Sequence, residues 1–141
     1  MDEKSNYTEN LKQVLFLAEK LAGTYGSSYI ASEHLLYAML TLPECNAYKI
    51  LSTQGVSVGR YENYFIRLID SKSDIKGLTA ETRDMIQKAK EMSNTVTTVH
   101  LLMAIMSFDD CLAVCVLRAL GTDFHKLAMG IEHSLNSEVE Q

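Results

Sequence analysis

The stretch Ser32-Glu-His-Leu-Leu-Tyr-Ala38 has a counterpart 66 positions later, Thr98-Val-His-Leu-Leu-Met-Ala104. From His34 to Val56, eight of the 23 aligned pairs are identical, whereas unrelated sequences would give about one or two. The pattern is typical of an internal duplication, and it organises the whole chain of 141 residues.

Both copies begin with a segment of helical period. Thr8 stands where an N-cap belongs, and Thr79 takes the same place 71 residues later, so the second copy lacks five residues of the loop after its first helix. Apolar residues spaced three and four apart follow each threonine, which predicts an amphipathic helix in both copies. They are Leu11, Val14, Leu15, Ala18 and Leu21 in the first copy, and Met85, Ile86 and Ala89 in the second.

Further helices are predicted from Glu33 to about Leu42, from Glu44 to Gln54, and around Val58 to Ile69. The second copy repeats them, so the expected fold class is all-α, with eight short helices. Four short helices are too few for a core of their own. We therefore expect one compact domain over 1–141, with repeat one at about 5–70, a linker at about 71–77 and repeat two at about 78–137, related by a pseudo-two-fold axis.

Composition narrows the possible functions. Apolar residues make up 47% and charged residues 22%, which is typical of a globular domain rather than a disordered chain. The net charge of −5 argues against nucleic-acid binding. A polar N-terminus, three cysteines and no apolar run long enough to span a bilayer predict a soluble, reduced, cytoplasmic protein.

Motifs that carry chemistry are scarce. There is no GxxxxGK[ST] or GxGxxG sequence for nucleotide phosphates. Cys111 and Cys115 lack the further ligands of a zinc site, so no cofactor or metal is expected. A metal-dependent enzyme built on His34, Glu33 and His100 is a minor alternative. The favoured interpretation is that the repeated histidine packs and hydrogen-bonds in the same way twice, and that the chain is not an enzyme.

The order of motifs resembles the Clp N-terminal repeat domain, which precedes the AAA+ ATPase modules of ClpC- and ClpA-type unfoldases. The resemblance rests on Tyr7-Thr-Glu9, Ser32-Glu-His-Leu-Leu36 and their second copies, and it spans about residues 5 to 137. The short linker is closer to the ClpC type. Copy two departs from the pattern because Val99 replaces the acidic residue.

The resemblance implies a recognition domain that receives adaptor or substrate proteins for an ATPase ring, in the same chain or a separate one. In some ClpC-type domains the substrate carries phosphoarginine. The implied ligand-binding residues are Thr8 and Glu33 in copy one, and a weaker site at Thr79 in copy two, where Val99 stands in place of the acid.

Physical chemistry supports this assignment. A helix N-terminus capped by Thr8 offers N–H donors to a phosphoryl group, and the Glu33 carboxylate suits a guanidinium. We expect these two residues to form one compact site, whereas Val99 cannot pair with a cation. Alternatives are a free-standing Clp-repeat protein that sequesters tagged substrates or adaptors, a structural assembly domain, and a Glu33 that only stabilises its own helix. Apolar residues between the halves are expected to line a groove for partners.

Overall fold

The computed structural model describes residues 6–65 and 75–137, and this part of the chain contains eight α-helices and two very short strands. The all-α prediction is confirmed. Repeat one holds α1 (Glu9–Thr24), β1 (Tyr29–Ile30), α2 (Ser32–Leu40), α3 (Asn46–Thr53) and α4 (Val58–Phe65). Repeat two holds β2 (Gly77–Leu78), α5 (Ala80–Met92), α6 (Thr98–Met106), α7 (Leu112–Ala119) and α8 (Phe124–Ser137).

The first helix of each repeat begins at the predicted threonine. The Thr8 hydroxyl accepts from the Leu11 N–H at 3.2 Å, and the Thr79 hydroxyl accepts from the Thr82 N–H at 3.0 Å. These bonds satisfy N–H groups that have no partner inside the helix. The two N-caps therefore share one geometry, as the duplication predicts.

The third helix starts two residues later than the sequence predicted. Glu44 lies in the turn before α3, and Cys45 is its N-cap, because the Cys45 N–H donates to the Leu42 carbonyl and closes that turn. The predicted end of the fourth helix at Ile69 and most of the predicted linker, 71–74, lie outside the described residues.

The start of repeat two pairs with repeat one. Gly77–Leu78 forms a parallel pairing with Tyr29–Ile30, although Gly77 was predicted to be the end of a linker. A matching bridge joins Tyr7 to Val96, so each repeat's N-terminal segment pairs with the segment before the other repeat's second helix. Pairings of two residues leave no periodic signal in the sequence, which explains why they were not predicted.

Two hydroxyls bind across the repeats. The Ser32 Oγ accepts from the Ala113 N–H at 3.2 Å, at the second residue of α7. Its counterpart Thr98 accepts through Oγ1 from the Ala47 N–H at 3.3 Å, at the second residue of α3. Each repeat therefore caps the third helix of the other.

The core is shared by the two repeats. Helix α2 packs on α7, α3 packs on α8, and α4 packs on α7. The aligned cysteines Cys45 and Cys111 are 0% and 2% exposed, so both are small buried residues of this core. Among the described residues, no helix combines the length and the apolar character that crossing a membrane requires.

Candidate binding site

A groove of about 850 Å³ lies between α1 and α5. Both helices line it along their length, and the paired strands contribute Ile30 and Leu78. The lining residues from and just before the two helices are Tyr7, Lys12, Leu15, Phe16, Glu19, Leu78, Arg83, Asp84, Ile86, Gln87 and Lys90.

The groove lies between equivalent segments of the two repeats. Most of its residues on one side have a partner 71 positions later on the other side, which is the offset of the first helices. The pairs are Tyr7 with Leu78, Lys12 with Arg83, Leu15 with Ile86, Phe16 with Gln87, and Glu19 with Lys90. Two amphipathic helices thus expose equivalent faces to one cleft, as expected of a groove between the halves.

Its chemistry suits a polypeptide. Leu15 and Ile86 pack against the core at the floor, while the Phe16 ring is 53% exposed. Lys20 follows Phe16 by one turn of α1, and its ammonium lies 5.3 Å from the centre of that ring. A groove with an apolar floor binds the apolar side chains of a ligand, and the charged residues at its rim fix the orientation of that ligand. The rim carries Lys12, Arg83 and Lys90 against Glu19 and Asp84.

Glu33 faces the N-terminus of α5. The Thr79 N–H donates to the Ile30 carbonyl at 3.1 Å, three residues before Glu33 at the start of α2. The negative charge of Glu81 in the first turn of α5 also acts on Glu33. Glu33 and Thr79, one from each repeat, therefore form a corner beside the Ile30–Leu78 end of the groove.

Thr8 occupies the other corner. Its N–H donates to the Val96 carbonyl at 3.0 Å, three residues before Val99. Thr8 caps the N-terminus of α1, whereas α2, which carries Glu33, follows the C-terminus of α1. A helix of 16 residues is about 24 Å long, so the two ends of α1 are far apart. The expectation of one compact site from Thr8 and Glu33 is not met: Glu33 lies beside Thr79, and Thr8 lies beside the segment that carries Val99.

This exchange of partners follows from the strand pairings. A sequence alignment places Thr8 with Glu33 because both belong to copy one. The chain instead brings the start of each copy to the second helix of the other copy. Only contacts between the copies contain this information, so the sequence alone could not predict how these residues are grouped.

Burial distinguishes the two corners further. Both threonine hydroxyls are engaged in capping, but Thr8 is only 8% exposed, whereas Thr79 is half-buried. Burial raises the pKa of Glu33, and the charge of Glu81 adds to this. Hydrogen bonds to Glu33 from the backbone and from Ser32 act in the opposite direction. A half-buried carboxylate that also feels the charge of Glu81 favours a cationic group in this corner.

The paired histidines cap helices. The Nδ1 atom of His34 accepts from the Ala31 N–H at 2.9 Å, and the Nδ1 atom of His100 accepts from the Thr97 N–H at 3.0 Å. Burial lowers the pKa of His34 to about 4, so its ring is neutral near pH 7. The interpretation of the histidine as a hydrogen-bonding group used twice is confirmed. In residues 6–65 and 75–137, no three His, Cys, Asp or Glu side chains are grouped to hold a metal.

The chain resembles known proteins over most of its length. Residues 6–93 match the Clp repeat (R) N-terminal domain family. A probable ATP-dependent Clp protease ATP-binding subunit from Chlamydia pneumoniae is 30% identical over an alignment of 127 residues, which covers 83% of this chain. The chain spans only 15% of that relative's length.

Solved structures share the fold. The N-terminal domain of ClpD from Arabidopsis thaliana has a TM-score of 0.75 at 17% identity, covering 93% of this chain and 98% of that one. A ClpV N-domain, solved in complex with a VipB peptide, has a TM-score of 0.74 at 13% identity, covering 99% and 92%. With the family match, the paired four-helix repeats and the shared groove, the chain belongs to the Clp repeat N-terminal domain family.

Proposed function

We propose that this domain recognises substrate or adaptor proteins for a Clp-type ATP-dependent unfoldase, and that it does so without catalysis of its own. The observation that carries the proposal is the groove between α1 and α5, which offers the exposed ring of Phe16 above an apolar floor. The ATPase belongs to the same chain or acts as a separate protein, and the expected location is the cytoplasm.

The groove fits an extended or helical peptide segment. Its residues form an apolar centre with charges of both signs at the rim, and the two helices that build it are fixed by the strand pairings at their ends. The ClpV N-domain that was solved with a VipB peptide is a precedent for peptide binding by this fold. Recognition would then depend on a few apolar anchors, because these contribute most of the free energy at such interfaces.

Reduced, carboxymethylated α-lactalbumin tests this proposal, because it exposes apolar segments and cannot refold. We expect saturable binding by fluorescence anisotropy and none with folded α-lactalbumin. Phe16→Ala should weaken binding about tenfold, the loss of one aromatic anchor. Leu112→Ala is the matched control, since Leu112 is 49% exposed and lies outside the groove lining. Equal loss in both variants, or no binding, would refute groove recognition.

We further propose that the corner formed by Glu33 and Thr79 reads phosphoarginine. The Glu33 carboxylate would accept the guanidinium, and the N-terminus of α5, capped by Thr79, would bind the phosphoryl group. The half-buried position of both residues and the pKa of Glu33, raised mainly by burial, support a site where a cation is stabilised by pairing. The corner at Thr8 would bind more weakly, since Val99 offers no charge.

Calorimetric titration with free phosphoarginine, with arginine as the control ligand, tests the corner. We expect about one site per chain, lost in Glu33→Ala and weakened in Thr79→Ala. Thr8→Ala is the matched control, because it removes an equivalent N-cap at the other corner. Equal effects of the two threonine variants would contradict the assignment, and absence of heat from folded protein would refute phosphoarginine reading while leaving the groove proposal standing.

A free-standing protein of this family that sequesters tagged substrates or adaptors is the second candidate. In this case the isolated domain should slow degradation by a Clp ATPase and its protease in trans. A domain that works only when joined to the ATPase would leave that rate unchanged.

A further inference from the structure

Repeat two contains a second cavity, away from the groove. It lies between α6, α7 and α8 and has a volume of about 480 Å³. Its lining is mainly apolar, with three charged residues among the ten. The lining residues are Met103, Met106, Asp109, Val114, Arg118, Phe124, Leu127, Ala128, Ile131 and Glu132.

Tyrosine side chains occupy two of the equivalent positions in repeat one. There, Tyr37 and Tyr61 are 3% and 0% exposed, and their ring centres are 5.9 Å apart. The Tyr37 hydroxyl donates to the Glu62 carboxylate on α4, which ties α2 to that helix. Burial and the bond to Glu62 raise the pKa of Tyr37, so the phenol stays protonated and keeps donating.

Three substitutions open the cavity in repeat two. At the offset of 66 residues, Tyr37, Tyr61 and Glu62 correspond to Met103, Leu127 and Ala128. Each replacement lacks the group that fills the space in repeat one: a phenol ring, a second phenol ring and a carboxylate. Met103 is half-buried and Ala128 is exposed, so the space is open to solvent. The opening beside Met103 and Ala128 therefore depends on the residues of repeat two at these three positions.

Charge at the rim indicates what the cavity binds. The Arg118 guanidinium donates to the Asp109 carbonyl at 3.3 Å and lies 5.7 Å from the centre of the Phe124 ring. The carboxylates of Asp109 and Glu132 make no ion pair or hydrogen bond within the part of the chain that the structure describes. The rim thus presents two carboxylates against one guanidinium that already has partners.

We propose that this cavity docks an amphipathic helix of a partner protein, with an apolar anchor in the cavity and Lys or Arg beside it. The anchor would bury against the two methionines, whose flexible thioethers adapt to different side chains. The flanking cations would pair with Asp109 and Glu132. This surface is independent of the α1–α5 groove, so one protein can dock here while another occupies the groove.

Methionine methyl NMR tests the proposal on the full chain. The probe is a synthetic helical peptide with Leu at every third or fourth position and Lys elsewhere. We expect saturable shifts of the Met103 and Met106 methyl signals and none for Met39 and Met85, which are both 0% exposed and lie outside the cavity lining. The same peptide with Glu in place of Lys should not bind.

Point variants distinguish docking in the cavity from non-specific electrostatic attraction between the peptide and the acidic domain. Met103→Tyr with Ala128→Glu restores the pair found at Tyr37 and Glu62, and it should weaken binding about tenfold by filling the anchor's space. Asp109→Asn and Glu132→Gln should each weaken binding about two- to fivefold. The control Glu44→Gln changes an exposed acid outside the cavity lining and should have no effect.

Three results would overturn the proposal. The first is peptide binding that leaves Met103 and Met106 unshifted or is equal for the Glu peptide. The second is a cavity that binds dodecylammonium, a small cationic amphiphile, but does not bind the peptide. The third is a concentration-dependent shift of the same methyl signals in the protein alone, with dimers in sedimentation, because the cavity would then hold a second copy.

Discussion

His34 makes the domain sensitive to acid. Its ring is 2% exposed, and burial lowers its pKa from 6.5 to about 4. The unfolded chain therefore takes up a proton before the folded one does. The contribution of His34 to the free energy of unfolding is about 3 kcal/mol above pH 6.5. It is lost progressively as the pH falls from 6.5 towards 4.

The variant His34→Gln tests this prediction. Glutamine at the third helical position also accepts from the N-cap N–H, so the α2 cap is kept while the titrating group is removed. In urea unfolding at pH 7, 5.5 and 4.5, the wild type should lose more stability than the variant. Parallel losses in the two proteins would contradict a buried, neutral His34.

Glu33 should have the opposite pH dependence. Its pKa in the folded state lies above the ordinary 4.5, so its ionised form destabilises the fold at neutral pH, and this penalty disappears as the pH falls below 4.5. Glu33→Gln should therefore raise the free energy of unfolding at pH 7 and leave it unchanged at pH 4. Glu9→Gln is the control: Glu9 is 83% exposed at the start of α1, and its loss should only cost stability.

At the scale of elements, the hydroxyls of Ser32 and Thr98 cap the N-termini of α7 and α3, each in the opposite repeat. Ser32→Ala and Thr98→Val each leave a buried N–H without an acceptor, at Ala113 and Ala47 respectively. We expect each to lower the free energy of unfolding by about 1–2 kcal/mol in chemical denaturation. Ser32→Thr should be nearly neutral, because repeat two already uses threonine at that position. An alanine variant as stable as wild type would refute capping across the repeats.

Helices were predictable from sequence because each one carries its own signal. Threonine caps, apolar stripes at helical spacing and glycine stops occur within a single helix, so Thr8 and Thr79 were identified correctly as N-caps. The grouping of Glu33 with Thr79 was not predictable, since it depends on a pairing between Ile30 and Leu78. The cavity of repeat two was also missed, because Met103 and Leu127 look like ordinary core residues in sequence.

At the scale of the whole molecule, we predict that neither repeat folds alone. Packing of α2 and α4 on α7, and of α3 on α8, buries apolar faces only when both repeats are present. Fragments 1–70 and 78–141 should each lack a cooperative thermal transition by circular dichroism. A cooperative transition in either fragment alone would contradict the single-domain account.

The central claim is that the groove between α1 and α5 recognises unfolded polypeptide, and amide NMR tests it most directly. The ¹⁵N-labelled domain would be titrated with reduced, carboxymethylated α-lactalbumin. We predict that the largest shifts fall on residues 12–19 of α1 and 83–90 of α5, on both sides of the groove. Shifts confined to other surfaces, or no shifts at saturating ligand, would contradict the claim.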